Sequence, residues 1–399
     1  MSLLLRSRAA LARMALRTPM RTLTTLAAAS HGRSNDASSA ARFPWQRVIT
    51  GAVAFTALAT GIRSASNAAA STSDAAASSS SSSSSSASAP LTPTGKLKVG
   101  LVQLRVETDK AANISAAVAA VSSAASQGAR LVVLPEMWNC PYSNSSFGPY
   151  SEQLPEVGTS LATIQKQFGS SPSLRAMASL ARDKGLWLVA GSIPEKAPLG
   201  RGEAPHPKSG LDFHLYNTAL VFSPEGQLVA KHRKAHLFDI DVPGRVTFRE
   251  SDTLSAGKDA TTFSTPFGTV GLGICYDIRF PELAALMSAR GARMLIYPGA
   301  FNTTTGPLHW ELLSRARAVD NQAWVITCSP ARAADPKAPY QAWGHSSMLS
   351  PWGRVAATTG HEPDLVIAEI DLAETDEIRR MIPVATQKRK DIYKLAQGP

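Results

Sequence analysis

The chain has 399 residues, 44% hydrophobic, 18% charged and 7% aromatic, which is enough apolar material for a sizeable core. Its three cysteines, Cys140, Cys275 and Cys328, show no C-x-x-C spacing and cannot all pair, which argues against a disulfide scaffold or a zinc ribbon and favours a reducing compartment. The net charge of +11 is uneven: residues 1–95 hold nine Arg, no Lys and two Asp, leaving 32 basic and 28 acidic side chains over residues 96–399, so no nucleic-acid-binding surface is implied.

Residues 1–63 read as an address. Arg6, Arg8, Arg13, Arg17 and Arg21 stand among Leu, Ala, Ser and Thr with no acid before Asp36, the composition of an organelle transit peptide; a flexible basic tail is the alternative. Mitochondria are the first expectation and plastids the second. The mostly apolar run from Val48 to Ile62 has fifteen residues, short of the roughly 17–25 that a span needs. It reads as a sorting signal or an anchor, and membrane association would rest on it alone. Residues 64–95 are Ala/Ser-rich, with an unbroken Ser78–Ser86 tract and then Pro90 and Pro93, a disordered linker.

Globular sequence is expected over 96–392. Lys96–Leu104 is predicted as a buried strand, Lys110–Gln127 as a helix, and Leu131–Leu134 as a strand stopped by Pro135. Helix 172–184 leads to strand Leu186–Ala190, and Asn217–Phe222 with Leu228–Lys234 flank a Pro224-Glu225-Gly226 turn as a hairpin. Strand Thr269–Ile274 runs into Cys275, with helix Pro281–Arg290 behind it. Strand Met294–Tyr297, helix His309–Asn321, strand Trp324–Cys328 and a hairpin of Ser346–Leu349 and Val355–Ala357 follow. Alternating strands and helices argue for an α/β fold. Gly128-Ala129-Arg130-Leu131-Val132-Val133-Leu134-Pro135 recurs as Gly291-Ala292-Arg293-Met294-Leu295-Ile296-Tyr297-Pro298. Two half-domains of related design would explain the echo, as would a common helix-exit phrase.

Three residues stand where chemistry is expected. Cys275, between Gly271-Leu272-Gly273-Ile274 and a helix opening near Pro281, would occupy a sharp turn where the helix N-terminus favours a thiolate and an oxyanion; a buried structural cysteine is the plainer reading. Glu136 ends a buried strand, where an acid needs water or a partner, and could serve as a base. Lys234 closes a strand before a loop rich in Asp, Pro and Gly and could hold negative charge. Singly, each of the two charges is also explained as a solvated or salt-bridged loop residue. All three fall at strand ends, where α/β sheets build sites.

Pro135-Glu136, the run Lys234-Ala235-His236-Leu237-Phe238 and the block Gly273-Ile274-Cys275-Tyr276-Asp277-Ile278-Arg279-Phe280-Pro281-Glu282 resemble, collinearly, the three catalytic blocks of the nitrilase (carbon–nitrogen hydrolase) superfamily. The stretch His236 to Gly244, the segment Pro298 to Pro307 and Ser329-Pro330-Ala331-Arg332 are most similar to its omega-amidase branch. The resemblance implies a four-layer α-β-β-α sandwich, a homodimer or larger, with no metal or organic cofactor. It also implies roles: Cys275 attacks the amide carbonyl to give a thioester, Glu136 relays protons, Lys234 stabilises the oxyanion with the backbone N–H of Tyr276, and Glu250 orients Lys234 or the substrate. The substrate would be the monoamide of a short 2-oxo dicarboxylic acid, 2-oxoglutaramate or 2-oxosuccinamate.

Arg279, four residues past Cys275, would grip the distal carboxylate in bidentate fashion, or would instead be structural, paired to Glu282 or Asp277. Phe301 and Thr305 match pocket positions that supply an apolar wall and a hydroxyl, and Tyr142 is a further wall candidate. His232 and His236 have i,i+4 spacing but, in sequence, no acidic or Cys partner, so a zinc site is not expected there. An N-carbamoyl amidohydrolase or a deaminated-glutathione amidase would use the same triad. Nitrile hydrolysis is disfavoured because Tyr276-Asp277 follows Cys275 where true nitrilases have Trp-Glu. A non-catalytic organellar scaffold would have no need of an intact triad.

Overall fold

The computed structural model describes residues 95–398, so the expected transit peptide, the Val48 to Ile62 run and all but the last residue of the linker lie outside the described residues. The first part of the chain forms β1 (Lys96–Gln103), α1 (Lys110–Ser126), β2 (Leu131–Val133), α2 (Asn144–Tyr150), α3 (Leu161–Gln167), α4 (Pro172–Lys184), β3 (Trp187–Pro198), β4 (Phe213–Phe222) and β5 (Leu228–Arg233). A small hairpin, β6 (Asp239–Val242) and β7 (Val246–Arg249), separates it from β8 (Thr261–Thr265), β9 (Gly268–Leu272), α5 (Pro281–Ala289), β10 (Met294–Pro298), α6 (Gly306–Asn321), β11 (Trp324–Cys328), β12 (Ser347–Leu349) and β13 (Val355–Thr358). The chain then adds β14 (Asp364–Asp371), α7 (Ala373–Met381) and α8 (Val384–Gln387).

Two six-stranded sheets result, in the orders β14-β1-β2-β3-β4-β5 and β13-β12-β11-β10-β9-β8. Each has a parallel centre, β1-β2-β3 or β9-β10-β11, flanked by antiparallel strands. The G-A-R echo marks equivalent places. Leu131 pairs with Val99 and Trp187, and its counterpart Met294 pairs with Val270 and Trp324. Even the helix exits correspond, since Gly185 after α4 and Gln322 after α6 both turn through the left-handed region at φ 60° and 49°.

Side-chain alternation builds the layers. Leu131, Val133 and Val189 join the core shared with Leu295, Ile296 and Ile326 of the second sheet, whereas Val132, Leu134, Leu188 and Ala190 pack with Val121 of α1 and Leu174 and Met177 of α4. Helices α5 and α6 cover the second sheet's other face, giving the α-β-β-α sandwich. Buried Cys328 ties the sheets together, its Sγ 3.3 and 3.4 Å from the carbonyls of Val133 and Val102.

Several elements depart from the sequence expectations. β3 does not stop at Ala190: a bulge between Val189 and Ser192, with Gly191 at φ 58°, re-aims the strand, which then runs on to Pro198. α6 begins at Gly306 rather than His309, because Pro307 suits a first helical turn. The loop after Lys234 contains the β6–β7 hairpin, and β8, β14 and the short helices α2 and α3 escaped the pattern reading. β14, a half-buried edge strand pairing with β1, has too few fully buried positions to stand out.

Candidate active site

Glu136, Lys234 and Cys275 meet where the two sheets present the ends of β2, β5 and β9. Glu136 is held by its neighbours: Ser192 N–H donates to the Pro135 carbonyl at 3.1 Å, and the Ser192 hydroxyl accepts from the Met137 N–H at 3.1 Å. Gly191 is required beneath it, since a Cβ there would lie 2.1 Å from the Pro135 oxygen. The Glu136 carboxylate accepts from Lys234 Nζ (2.9 Å) and Asn217 Nδ2 (2.7 Å) on Oε1, and from the Ala300 N–H (2.7 Å) on Oε2. Glu250, in a turn just past β7, lies 2.9 and 3.0 Å from Lys234 Nζ and accepts from the Phe238 N–H at 2.7 Å. Glu136, Lys234 and Glu250 are all fully buried, so neither acid nor lysine is a solvated loop charge.

Burial pushes the Glu136 carboxyl upward and the second carboxylate of Glu250 adds to it, against the opposing pull of Lys234. For Lys234, burial disfavours the charged form, yet the two carboxylates within 3.0 Å dominate and hold the ammonium well above its ordinary range. Lys234 is thus a permanent cation with two of its donors committed; the third is left with only a 3.5 Å approach to the Tyr142 hydroxyl.

Cys275 opens a 3-10 turn, Cys275–Arg279, directly before α5, and takes φ 47°, unusual for a residue with a side chain and worth roughly 1–3 kcal/mol of strain. A Cβ on Gly299 would come within 3.1 Å of the Cys275 Cα, so a larger residue there would press on the backbone that carries the nucleophile. The expected thiolate is not the resting form. Burial first, and then the adjacent Glu136 charge, push the thiol well above its usual range, with Lys234 opposing. The turn therefore holds a neutral S–H next to the Glu136 carboxylate, a thiol already beside its base. Cys140 and Cys328 are buried free thiols, the latter pushed up to about 12 by burial.

Arg279 has no carboxylate partner among the described residues. The structural alternative, pairing with Asp277 or Glu282, is corrected: Asp277 is taken by His232 and His236, and Glu282 is exposed. Instead the guanidinium lies 4.6 Å from the Phe301 ring and 5.3 Å from the Tyr276 ring and meets His309 Nδ1 at 3.1 Å, with its Nε buried and unpaired. Burial lowers its pKa, as it does for a half-buried cation without a counter-ion. Phe301 is buried, edge-on to Trp310 at 5.0 Å. Thr305 differs from expectation: its hydroxyl donates to Asn302 Oδ1 at 3.1 Å in the turn into α6, so only its lone pairs remain for a ligand.

Tyr142 does more than form a wall. Its hydroxyl donates to Glu250 at 2.7 Å, and its ring stacks on Tyr340 at 4.4 Å. The Tyr340 hydroxyl in turn donates to the Ala300 carbonyl. A cleft of about 540 Å³ reaches Glu136, Tyr142, Ala300 and Tyr340, but Cys275, Arg279, Phe301 and Thr305 are not among its walls. As it stands, then, the cleft touches the base and not the nucleophile.

A carbon–nitrogen hydrolase family model matches residues 98–380, most of the chain and every residue of this cluster. The chain belongs to the carbon–nitrogen hydrolase family. That membership places it in the nitrilase superfamily that the three blocks resemble. This hydrolase is 49% identical over 306 residues to a chloroplastic omega-amidase of Arabidopsis thaliana, covering 77% of this chain and 76% of the relative. It is 47% identical over 298 residues to the omega-amidase NIT2 of Bos taurus, covering 75% and 97%. Among solved structures, Nit3 of Saccharomyces cerevisiae, a member of branch 10 of the nitrilase superfamily, superposes with a TM-score of 0.62 at 41% identity, over 76% of this chain and all of that one.

Sequence reasoning missed three parts of the hydrolase site. Asn217 was read only as the start of a strand, although an amide heading a strand that turns apolar from Ala219 was a signal. Tyr340 carries no local signature. His232 and His236 do have an acidic partner, correcting the expectation of none: Asp277, remote in sequence, accepts from His232 Nε2 at 3.0 Å and His236 Nδ1 at 2.7 Å. Among the described residues, no group of three or more His, Cys, Asp or Glu is arranged to hold a metal ion.

Proposed function

We propose that this hydrolase is an omega-amidase that cleaves the terminal amide of a short 2-oxo dicarboxylic acid monoamide, 2-oxoglutaramate or 2-oxosuccinamate. The observation that carries the substrate class is the Arg279 guanidinium, half-buried, without a carboxylate partner, its Nε unpaired, in the same turn that Cys275 opens. Such a cation favours a substrate that brings a carboxylate of its own. The names of the relatives at 47–49% identity support the same reading.

The chemistry follows from the hydrogen bonds. The Cys275 sulfur attacks the amide carbon as its proton passes to Glu136, and the carbonyl π bond becomes an oxyanion beside the third Lys234 donor. Glu136 then returns the proton to the amide nitrogen, the C–N bond breaks, ammonia departs and a thioester remains. Water, deprotonated by Glu136, attacks the thioester, and collapse releases the acid while the sulfur regains its proton. A neutral resting thiol fits this sequence, since the proton leaves only as the new bond forms. The raised pKa of Glu136 makes it a better base than an ordinary carboxylate.

Arg279→Lys tests the assignment. It keeps the charge but loses the planar fork, so kcat/KM on 2-oxoglutaramate should fall about 10–100-fold, while a neutral aliphatic amide of equal length loses less than about threefold. Equal losses on both substrates would remove Arg279 from substrate recognition and leave the branch resting on relatedness.

We further propose that residues 1–63 direct the enzyme to an organelle, mitochondria first and plastids second. The Arg-rich, acid-poor composition supports this, as does the existence of a relative named chloroplastic. The chain without residues 1–95 should be soluble and active, and the segment fused to a fluorescent reporter should colour an organelle; a diffuse cytosolic signal would overturn the address.

A further inference from the structure

We propose that Asp277 is a positioning residue that holds the nucleophile Cys275 in register with the cation Lys234. This rests on the family chemistry of the cluster and not on the choice of substrate.

The Asp277 carboxylate is fully buried and accepts four hydrogen bonds, two on each oxygen. Oδ2 accepts from the Ile274 N–H at 2.9 Å and from His232 Nε2 at 3.0 Å. Oδ1 accepts from the His236 N–H at 2.9 Å and from His236 Nδ1 at 2.7 Å. Ile274 immediately precedes Cys275, and the Asp277 N–H also donates to the Ile274 carbonyl at 2.9 Å. The two residues thus close a ring of bonds around Cys275, the one residue in that turn with a left-handed φ of 47°. On the far side, His232 and His236 lie two residues before and two residues after Lys234. One carboxylate therefore spans both flanks of the cation and both flanks of the nucleophile.

The two histidines are themselves fixed. His232 Nδ1 meets the Thr261 hydroxyl at 2.9 Å, and the His236 ring stacks at 3.6 Å on Phe280, which follows Arg279. These bonds hold Asp277 well below the usual carboxylate range although burial works against ionisation, so it is an anion at every working pH and acts as a fixed acceptor. It touches neither substrate nor sulfur in the way a catalytic group must; its effect is exerted through the backbone at Ile274 and through the strand end that carries Lys234.

Asp277→Asn keeps the size but replaces one acceptor oxygen by an NH2 group, which must confront either the Ile274 and His232 donors or the two His236 donors. Removal of the register should lower kcat about 10–100-fold on every amide the enzyme turns over, with KM changed less than about threefold, because the groups that bind substrate are untouched. Since Asp277→Asn in a buried site can fail to fold, His236→Ala is the companion: that ring is about one-third exposed, and its loss removes one side of the clamp only. It should lower kcat in the same direction in a protein that stays folded at the assay temperature, its melting temperature lower by only several degrees, and combining it with Asp277→Asn should cost less than the two losses added. Wild-type kcat in folded His236→Ala, additive losses in the double variant, or an effect confined to KM would each overturn the proposal. A loss confined to carboxylate-bearing amides would implicate Arg279 instead, so failure here is distinguishable from failure of the substrate assignment.

Discussion

The Cys275→Ala protein is expected to fold normally and to lose ammonia release to the background, at least about 10⁴-fold below wild type. The sulfur is the only group of the cluster able to form the thioester, and without it Glu136, however well held by Asn217 and Ala300, has no acyl intermediate to which it could deliver water. The φ of 47° is a property of the turn that alanine adopts as readily as cysteine, and one removed sulfur leaves a small defect, so the melting temperature should move by only a few degrees. The control lies in the same chain. Cys140→Ser and Cys328→Ser should retain most of the rate, although Cys328, hydrogen-bonded between the two sheets, should cost stability. Activity surviving in Cys275→Ala, or vanishing in Cys140→Ser at full folding, would reassign the nucleophile.

Lys234→Met should damage activity and stability together. It leaves the buried carboxylates of Glu136 and Glu250 without the ammonium now within 3.0 Å of each, and breaking a buried pair from one side costs about 3–5 kcal/mol. A drop on the order of 10 °C in melting temperature is expected. The sign with pH is fixed by linkage. Without Lys234, the upward pull of burial on Glu136 is unopposed; a carboxyl with a raised folded-state pKa binds more protons folded than unfolded, so the variant should be less destabilised near pH 5 than near pH 8. Adding Glu250→Gln should recover part of the stability and none of the activity, because the oxyanion still lacks its cation. Denaturation profiles at the two pH values with an ammonia assay decide this; a Lys234→Met enzyme as stable as wild type at high pH would show that the carboxylates find other partners.

The sequence disclosed the chemistry better than the scaffold that aims it. Cys275, Glu136 and Lys234 were visible because each ends a strand, and strands with both faces buried, such as β2 and β10, announce themselves as unbroken apolar runs. The G-A-R echo located the central strand of each sheet. The groups that hold these three residues were hidden because they act across the sequence: Asn217 reaches Glu136 over 81 positions, and the Ala300 N–H over 164. No local pattern encodes a pairing of that range. The β6–β7 hairpin was concealed by its turn-rich, half-exposed residues, yet it delivers Glu250 to Lys234. Thr305 shows the opposite error, a residue matched to a pocket whose proton the local turn had already claimed.

The same separation explains the protonation states. A helix N-terminus beside Cys275 suggested a thiolate, but that inference lacked the full burial of the cluster and the adjacent Glu136 carboxylate, which together outweigh Lys234 at the sulfur. For the same reason Asp277 read as an unremarkable neighbour of the nucleophile, although its four acceptor contacts join the two strand ends on which the reaction depends.

The most direct test is the specificity constant for ammonia release by the full-length enzyme, measured side by side on 2-oxoglutaramate, deaminated glutathione, an N-carbamoyl amine and an aliphatic nitrile. An omega-amidase with Arg279 as its carboxylate-binding group should prefer 2-oxoglutaramate by at least about tenfold over each of the others, equivalent to roughly 1.4 kcal/mol of transition-state discrimination. A higher constant on deaminated glutathione or the carbamoyl amine, or no ammonia from any of the four, would contradict it.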